Sequence, residues 1–130
     1  MKHPERVEEY LEHIAKAIRR ATKYAEKFDS LEALLENEQA QDAIIRNITI
    51  IGEAANQIQQ TSPAFVMAHP EVPWNKIRGM RNTIVHEYFD VDWQTVLDTV
   101  KKSLPPLRQQ IEDAIAEARK SSSIEPARRM

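Results

Sequence analysis

Apolar residues recur at alternating steps of four and three along most of this chain, and that period leaves few architectures open to it. Val7, Leu11, Ile14, Ile18, Ala21, Ala25 and Phe28 form the first series, the stripe of an amphipathic helix with Pro4 suited to its first turn. Asp29 and Ser30 punctuate, Leu31 to Leu35 reads as a short helical turn, and Glu36 to Gln41 is polar. A long helix follows through Ile44, Ile48, Ile51, Ala55 and Ile58, and Ile45, Ile50 and Ala54 widen its stripe beyond a single seam. Such a helix is buried on two sides, either as the centre of a bundle or because it also feeds an intersubunit surface. Only two glycines occur, which favours helix nearly throughout. Gly52, inside the long helix, costs about 1 kcal/mol of helix propensity, so a close crossing with another helix is expected there.

The one real connector is residues 61–73, with Pro63, Pro70 and Pro73; Ser62 and Pro63 can start a single turn through Phe65 to Met67. Pro73 opens a helix predicted to run to about Phe89, with Asp90 and Asp92 as candidate caps for the next one. The last stripe, Leu97, Val100, Leu104, Leu107, Ile111, Ile115 and Ala118, keeps its phase across Pro105-Pro106. A kinked helix, or two helices butted end to end, accounts for that better than a loop. Residues 121–130 are polar and end basic, so a flexible tail is expected. The predicted fold is all-α, an up-and-down bundle of about four or five helices, forming a single domain over residues 1–120 because 130 residues leave no room for a second core.

Composition excludes more than it suggests. With no cysteine there is no disulfide and no thiolate zinc site. The start Met1-Lys2-His3-Pro4-Glu5 has no hydrophobic run of the signal-peptide kind, and no apolar run is long enough to span a bilayer, so a cytoplasmic protein without membrane contact is expected. A formal charge of −2 gives no global attraction to nucleic acid; any polyanion must be held by a local patch. Two distant glycines cannot build a phosphate loop, and no HExxH or EF-hand pattern occurs, so neither metal nor cofactor is expected.

The chemistry concentrates in Arg81-Asn82-Thr83-Ile84-Val85-His86-Glu87-Tyr88. On a continuous helix turning about 100° per residue, Arg81 falls amid Trp74, Ile77, Ile84, Val85 and Tyr88 on the apolar face, while His86 lies about 140° away and stacks with Asn82 at i and i+4. A guanidinium there needs a reason. It could form a structural salt bridge to a carboxylate such as Glu53, snorkel to the surface, or line a phosphate cleft. His86 could cap its helix end or carry a proton near neutral pH. His3, His13 and His69 are unremarkable.

Arg81-Asn82-x-x-x-His86 followed by Glu87-Tyr88 resembles the signature of HEPN domains, specifically the HepT-like toxins, whose motif is Arg, four residues, His, one residue, Tyr. Residues 73–80, Pro73-Trp74-Asn75-Lys76-Ile77-Arg78-Gly79-Met80, also resemble that family, as do Ile51-Gly52-Glu53-Ala54-Ala55-Asn56 and Leu104-Pro105-Pro106-Leu107. The resemblance spans roughly Glu5 to Ala118. It implies a helical bundle that forms a homodimer with two motifs facing one cleft, and a metal-independent RNA endonuclease acting as the toxin of a type II/VII-like toxin–antitoxin system. Arg81 and His86 then match the catalytic pair, Asn82 a supporting polar position, and Tyr88 the tyrosine to which a partner antitoxin, a minimal nucleotidyltransferase, attaches AMP.

RNA carries its own nucleophile, so cleavage needs a base for the 2′-OH, an acid for the leaving 5′ oxygen, and positive charge on the phosphorane. One chain offers a single convincing histidine for these roles, and a dimer offers two. Lys76 and Arg78 could extend the field along RNA phosphates. The alternative is a non-catalytic HEPN module that binds a nucleotide or a partner. A purely structural adaptor leaves Arg, Asn, His and Tyr together unexplained.

Overall fold

A computed structural model describes the backbone of residues 7–87 and 90–129, with side chains for residues 7–84 and 90–120. In chain order the elements are α1 (Val7–Ala25), α2 (Leu31–Leu35), α3 (Glu38–Thr61), α4 (Pro63–Ala68), α5 (Trp74–Arg78) and α6 (Met80–Ile84), then strands β1 (Val85–Glu87) and β2 (Asp90–Val91), α7 (Trp93–Asp98), a π-helical turn at Thr99–Ser103, and α8 (Leu104–Arg129). The all-α bundle expected from the stripes is what forms. Its core is Leu11, Ile14 and Ile18 of α1 against Ile44, Ile48, Ile51 and Ile58 of α3, closed by Leu104 and Ile111 of α8. Full burial of side chains like these is worth roughly 1.5–3 kcal/mol each.

The wide stripe of α3 has its explanation in position. This helix packs on α1, α2, α4, α5 and α6, so it is the central one. Short polar residues set the starts of its neighbours: Ser30 Oγ accepts from Ala33 N at 3.2 Å to open α2, and Asn37 Oδ1 accepts from Ala40 N at 2.9 Å to open α3 itself. Asp92 does the same for α7, taking Thr95 N at 3.1 Å and Thr95 Oγ1 at 2.8 Å.

The double proline is accommodated by butting two helices end to end. Pro105 and Pro106 sit in the first turn of α8, where a missing N–H is tolerated. The preceding π turn bridges the junction, with Leu104 N–H donating to Thr99 O. From the same turn, Lys101 Nζ donates to the Phe28 carbonyl at 2.7 Å, fixing the rod to the end of α1. Downstream, Arg119 joins α8 to α1 through Glu8 and Glu12. The backbone of α8 is helical through Arg129, while the side chains of the expected tail, residues 121–130, lie outside the described ones.

Gly52 is the close crossing its position suggests. A Cβ there would stand 3.2 Å from the Arg78 carbonyl oxygen and 3.4 Å from that of Ile77, so the end of α5 lies directly on the α3 backbone. We expect Gly52→Val to lose about 1–3 kcal/mol through overpacking. Gly52→Ala should stay within about 1 kcal/mol of wild type, its gain in helix propensity offsetting the tight contact. Urea denaturation of both variants measures this; equal stability of Gly52→Val and wild type would contradict it.

Candidate active site

The helix predicted from Pro73 to Phe89 is interrupted twice, and both breaks matter to the site. The first is Gly79, which ends α5 with its N–H on the Asn75 and Ile77 carbonyls and a ψ of 4°. An α-helical ψ is near −42°, so α6 starts turned relative to α5. The second break follows Ile84, where the chain turns extended: Val85 pairs with Val91 and Glu87 with Asp90 in a short antiparallel hairpin, and Asp92 N donates to Ile84 O at 2.8 Å. β-branched Val85 and Val91 favour that pairing over another helical turn.

These breaks correct the expected placement of the motif. Trp74, Ile77 and Ile84 are buried, yet Arg81, Asn82 and Thr83 are all exposed. Arg81 therefore leaves the apolar face, and among the described residues it forms no ion pair; the salt bridge to Glu53 does not form, and Glu53 is itself exposed. The i, i+4 helical stacking of Asn82 and His86 is lost too, because His86 belongs to β1. The His86 side chain lies outside the described ones, and Tyr88 lies outside the described residues altogether. Lys76 and Arg78 are exposed on α5 and add two cations within five residues of Arg81.

Backbone reach bounds the geometry that remains. Three helical steps from Arg81 to Ile84 and two extended ones to His86 put their Cα atoms no more than about 12 Å apart. No break in the chain intervenes, since β1 follows α6 directly.

What holds this segment in place is a set of contacts on its N-terminal side. Trp74, 5% exposed, packs edge-on to Phe65 with ring centroids 6.4 Å apart and donates its indole N–H to the His69 carbonyl at 3.0 Å. Gln59 Nε2 of α3 donates to Asn75 Oδ1 at 2.8 Å. The connector is tied in turn: His69 Nδ1 meets Glu71 Oε2 at 3.0 Å, and Gln110 Nε2 of α8 donates to the Glu71 carbonyl at 2.9 Å. His69, unremarkable in the sequence, is thus a brace for α5.

Among the described residues no group of three or more His, Asp or Glu side chains is arranged to hold a metal ion, and no helix is long and apolar enough to cross a membrane.

A family model described as Ribonuclease HepT-like matches residues 14–114, which include the greater part of α1, all of α3, the motif and the first part of α8. The chain belongs to that family. It is 36% identical over 104 residues to a Thermococcus cleftensis protein named "Probable ribonuclease HepT", covering 80% of this chain and 91% of that one. A Caldanaerobacter subterraneus subsp. tengcongensis protein whose name marks it as an RNase is 32% identical over 106 residues, 82% of this chain and 91% of its own. A third relative, from Methanocaldococcus jannaschii and also named as an RNase, is 32% identical over 84 residues, 65% of this chain and 70% of its own. No solved structure matches.

The brace carries a pH signature. The hydrogen bond from His69, with a smaller contribution from its own backbone N–H, holds the Glu71 carboxyl below its usual 4.5. A depressed carboxylate stabilises the fold above its unfolded pKa and loses that contribution as pH falls through the folded value. Carboxyl ¹³C NMR should place Glu71 below 4.5, and His69→Ala should return it toward that value; a Glu71 titration unmoved by His69→Ala would contradict the brace.

Proposed function

We propose that the chain is a metal-independent endoribonuclease that works as a homodimer in the cytoplasm and is the toxin of a toxin–antitoxin pair. The observation that carries this reading is Arg81, exposed and without an ion-pair partner among the described residues, five positions before His86 across the end of α6. A phosphate ligand would bind such an exposed guanidinium with charge-assisted hydrogen bonds. Membership of the Ribonuclease HepT-like family, with relatives named as ribonucleases, supports RNA as the source of that phosphate.

In the proposed reaction two protomers face one groove. His86 of one takes the proton from a ribose 2′-OH, whose oxygen attacks the adjacent phosphorus. Both Arg81 guanidinia neutralise the phosphorane, and Asn82 orients an imidazole or a water. The P–O5′ bond then breaks, and the partner's His86 delivers a proton to the leaving oxygen. The products are a 2′,3′-cyclic phosphate and a 5′-hydroxyl. Lys76 and Arg78 extend the cationic track, each phosphate they neutralise steepening the salt dependence by about 0.7 in log–log slope for a single strand.

Regulation follows from Tyr88. A minimal nucleotidyltransferase antitoxin would transfer AMP from ATP to the phenolic oxygen, releasing pyrophosphate. A bulky phosphodiester two residues from His86 would then block the groove and present an anion to Arg81.

Two sets of variants test the reading. In EDTA, His86→Ala should lower RNA cleavage by about 10²–10⁴-fold, the usual worth of a positioned acid–base group. Arg81→Ala should lower it by about 10²–10³-fold. Circular dichroism and sedimentation should show both variants folded and dimeric. Cleavage persisting in purified His86→Ala would remove the catalytic claim, and a wild type that binds nucleotide without cutting RNA would favour a non-catalytic binding module. Co-expression with the nucleotidyltransferase should raise the intact mass by whole AMP units, and Tyr88→Phe should abolish the increase; an unchanged increase in Tyr88→Phe would place the modification elsewhere.

A further inference from the structure

A cavity of about 550 Å³ opens between α1 and α3, and among the described residues none of the motif lines it. Arg20 and Lys23 come from the last turns of α1, at i and i+3 on one side of that helix, and Lys27 from the turn that follows it. Arg46 faces them from α3, and among the described residues no carboxylate lines the cavity. Among the described residues none of the four cations is in an ion pair. Such crowding of like charge in a chain of net charge −2 is unfavourable until an anion enters.

Two further features narrow the anion. Tyr24, half-buried with Lys27 Nζ 5.5 Å from its ring centroid, adds an aromatic surface. Asn47 of α3, 5% exposed, lines the same cavity. Its Nδ2 donates to the Ala43 carbonyl at 2.8 Å, and its Oδ1 is buried with no protein donor. A buried acceptor in that state has hydrogen-bonding capacity left for a donor that enters the cleft. Inorganic phosphate at neutral pH supplies charge without a fitting apolar face, and the side chains of an acidic peptide supply only acceptors. A single-stranded RNA segment supplies phosphate charge, a base to lie on the ring, and a ribose hydroxyl or base amine to donate.

We propose that the α1–α3 cleft is a second RNA-binding site, holding a stretch of the strand away from the one at Arg81. It rests on the reading of RNA as substrate, and it explains how a chain of net negative charge could retain a strand: each protomer would bring two local cationic tracks to it. Arg20, Lys23 and Arg46 bind phosphates, Tyr24 takes a base face, and Asn47 Oδ1 accepts from the nucleotide.

Fluorescence anisotropy of a labelled single-stranded RNA on full-length His86→Ala tests this. Adding Arg20→Ala and Arg46→Ala should weaken binding on the order of tenfold and flatten the log–log salt slope by about 1.4, two phosphates' worth. Asn47→Leu, which keeps the volume but removes the acceptor, should weaken binding several-fold and leave the salt slope unchanged, because the lost contact is neutral. Unchanged affinity and slope in the folded Arg20→Ala/Arg46→Ala chain would overturn the site, even where wild type cleaves RNA. A change in sedimentation without a change in RNA affinity would also overturn it, assigning the cleft to self-association. Binding that shows the expected slope change while wild type leaves the RNA intact would support the cleft and remove the nuclease reading alone.

Discussion

The contact between the α3 backbone at Gly52 and the last carbonyls of α5 governs how the rest of the molecule is presented. At that crossing even a Cβ on residue 52 would stand 3.2 Å from the Arg78 carbonyl oxygen, which leaves no room for a larger side chain without displacing α5. Because α5 is pressed there, and because Trp74, Gln59 and the His69–Glu71 pair hold its other end, the chain reaches Gly79 with its direction already set. The turn at Gly79 then decides which way α6 faces. A hydrophobic core built mainly by α1, α3 and α8 thus fixes the orientation of residues that contribute little to that core.

This arrangement is compatible with the proposed phosphate ligand despite the negative overall charge. Arg81, Arg78 and Lys76 are exposed along two short helices, where local field matters more than net charge because screening removes most contributions beyond roughly 8 Å at physiological salt. Exposure also suits the proposed chemistry. An arginine already committed to a buried carboxylate would have to break that pair before binding a phosphate, whereas Arg81 has no such cost.

Much of the scaffold was legible in the sequence for a simple reason: a 3.6-residue period summed over five or more turns is hard to mistake. The stripes of α1 and α3, the crossing at Gly52, the cap at Asp92 and the butted junction at Pro105-Pro106 all follow from local physics that the tertiary structure leaves intact. The end of the motif helix was not legible. Trp74, Ile77, Ile84 and Val85 keep a helix-compatible spacing whether or not the chain stays helical, and the competing pairing of Val85 with Val91 is a tertiary fact. Arg81 was consequently expected amid apolar neighbours, a placement overturned by a ψ rotation at Gly79 that no spacing encodes. The motif's resemblance indicated which residues to examine and said nothing of how the backbone would carry them. Likewise, Arg20 and Lys23 lie together at the end of α1 with Lys27 just beyond it, but Arg46 and Asn47 join them only through the packing of α3.

In the proposed reaction this surface offers charge and proton transfer while the RNA offers the nucleophile. The most direct measurement is cleavage, in EDTA, of an RNA in which the single ribose preceding the cut is replaced by 2′-deoxyribose. Loss of that cut alone, with a 2′,3′-cyclic phosphate and a 5′-hydroxyl on the unmodified strand, is the result expected. Continued cutting at the deoxy position, or products ending in a 5′-phosphate, would contradict it.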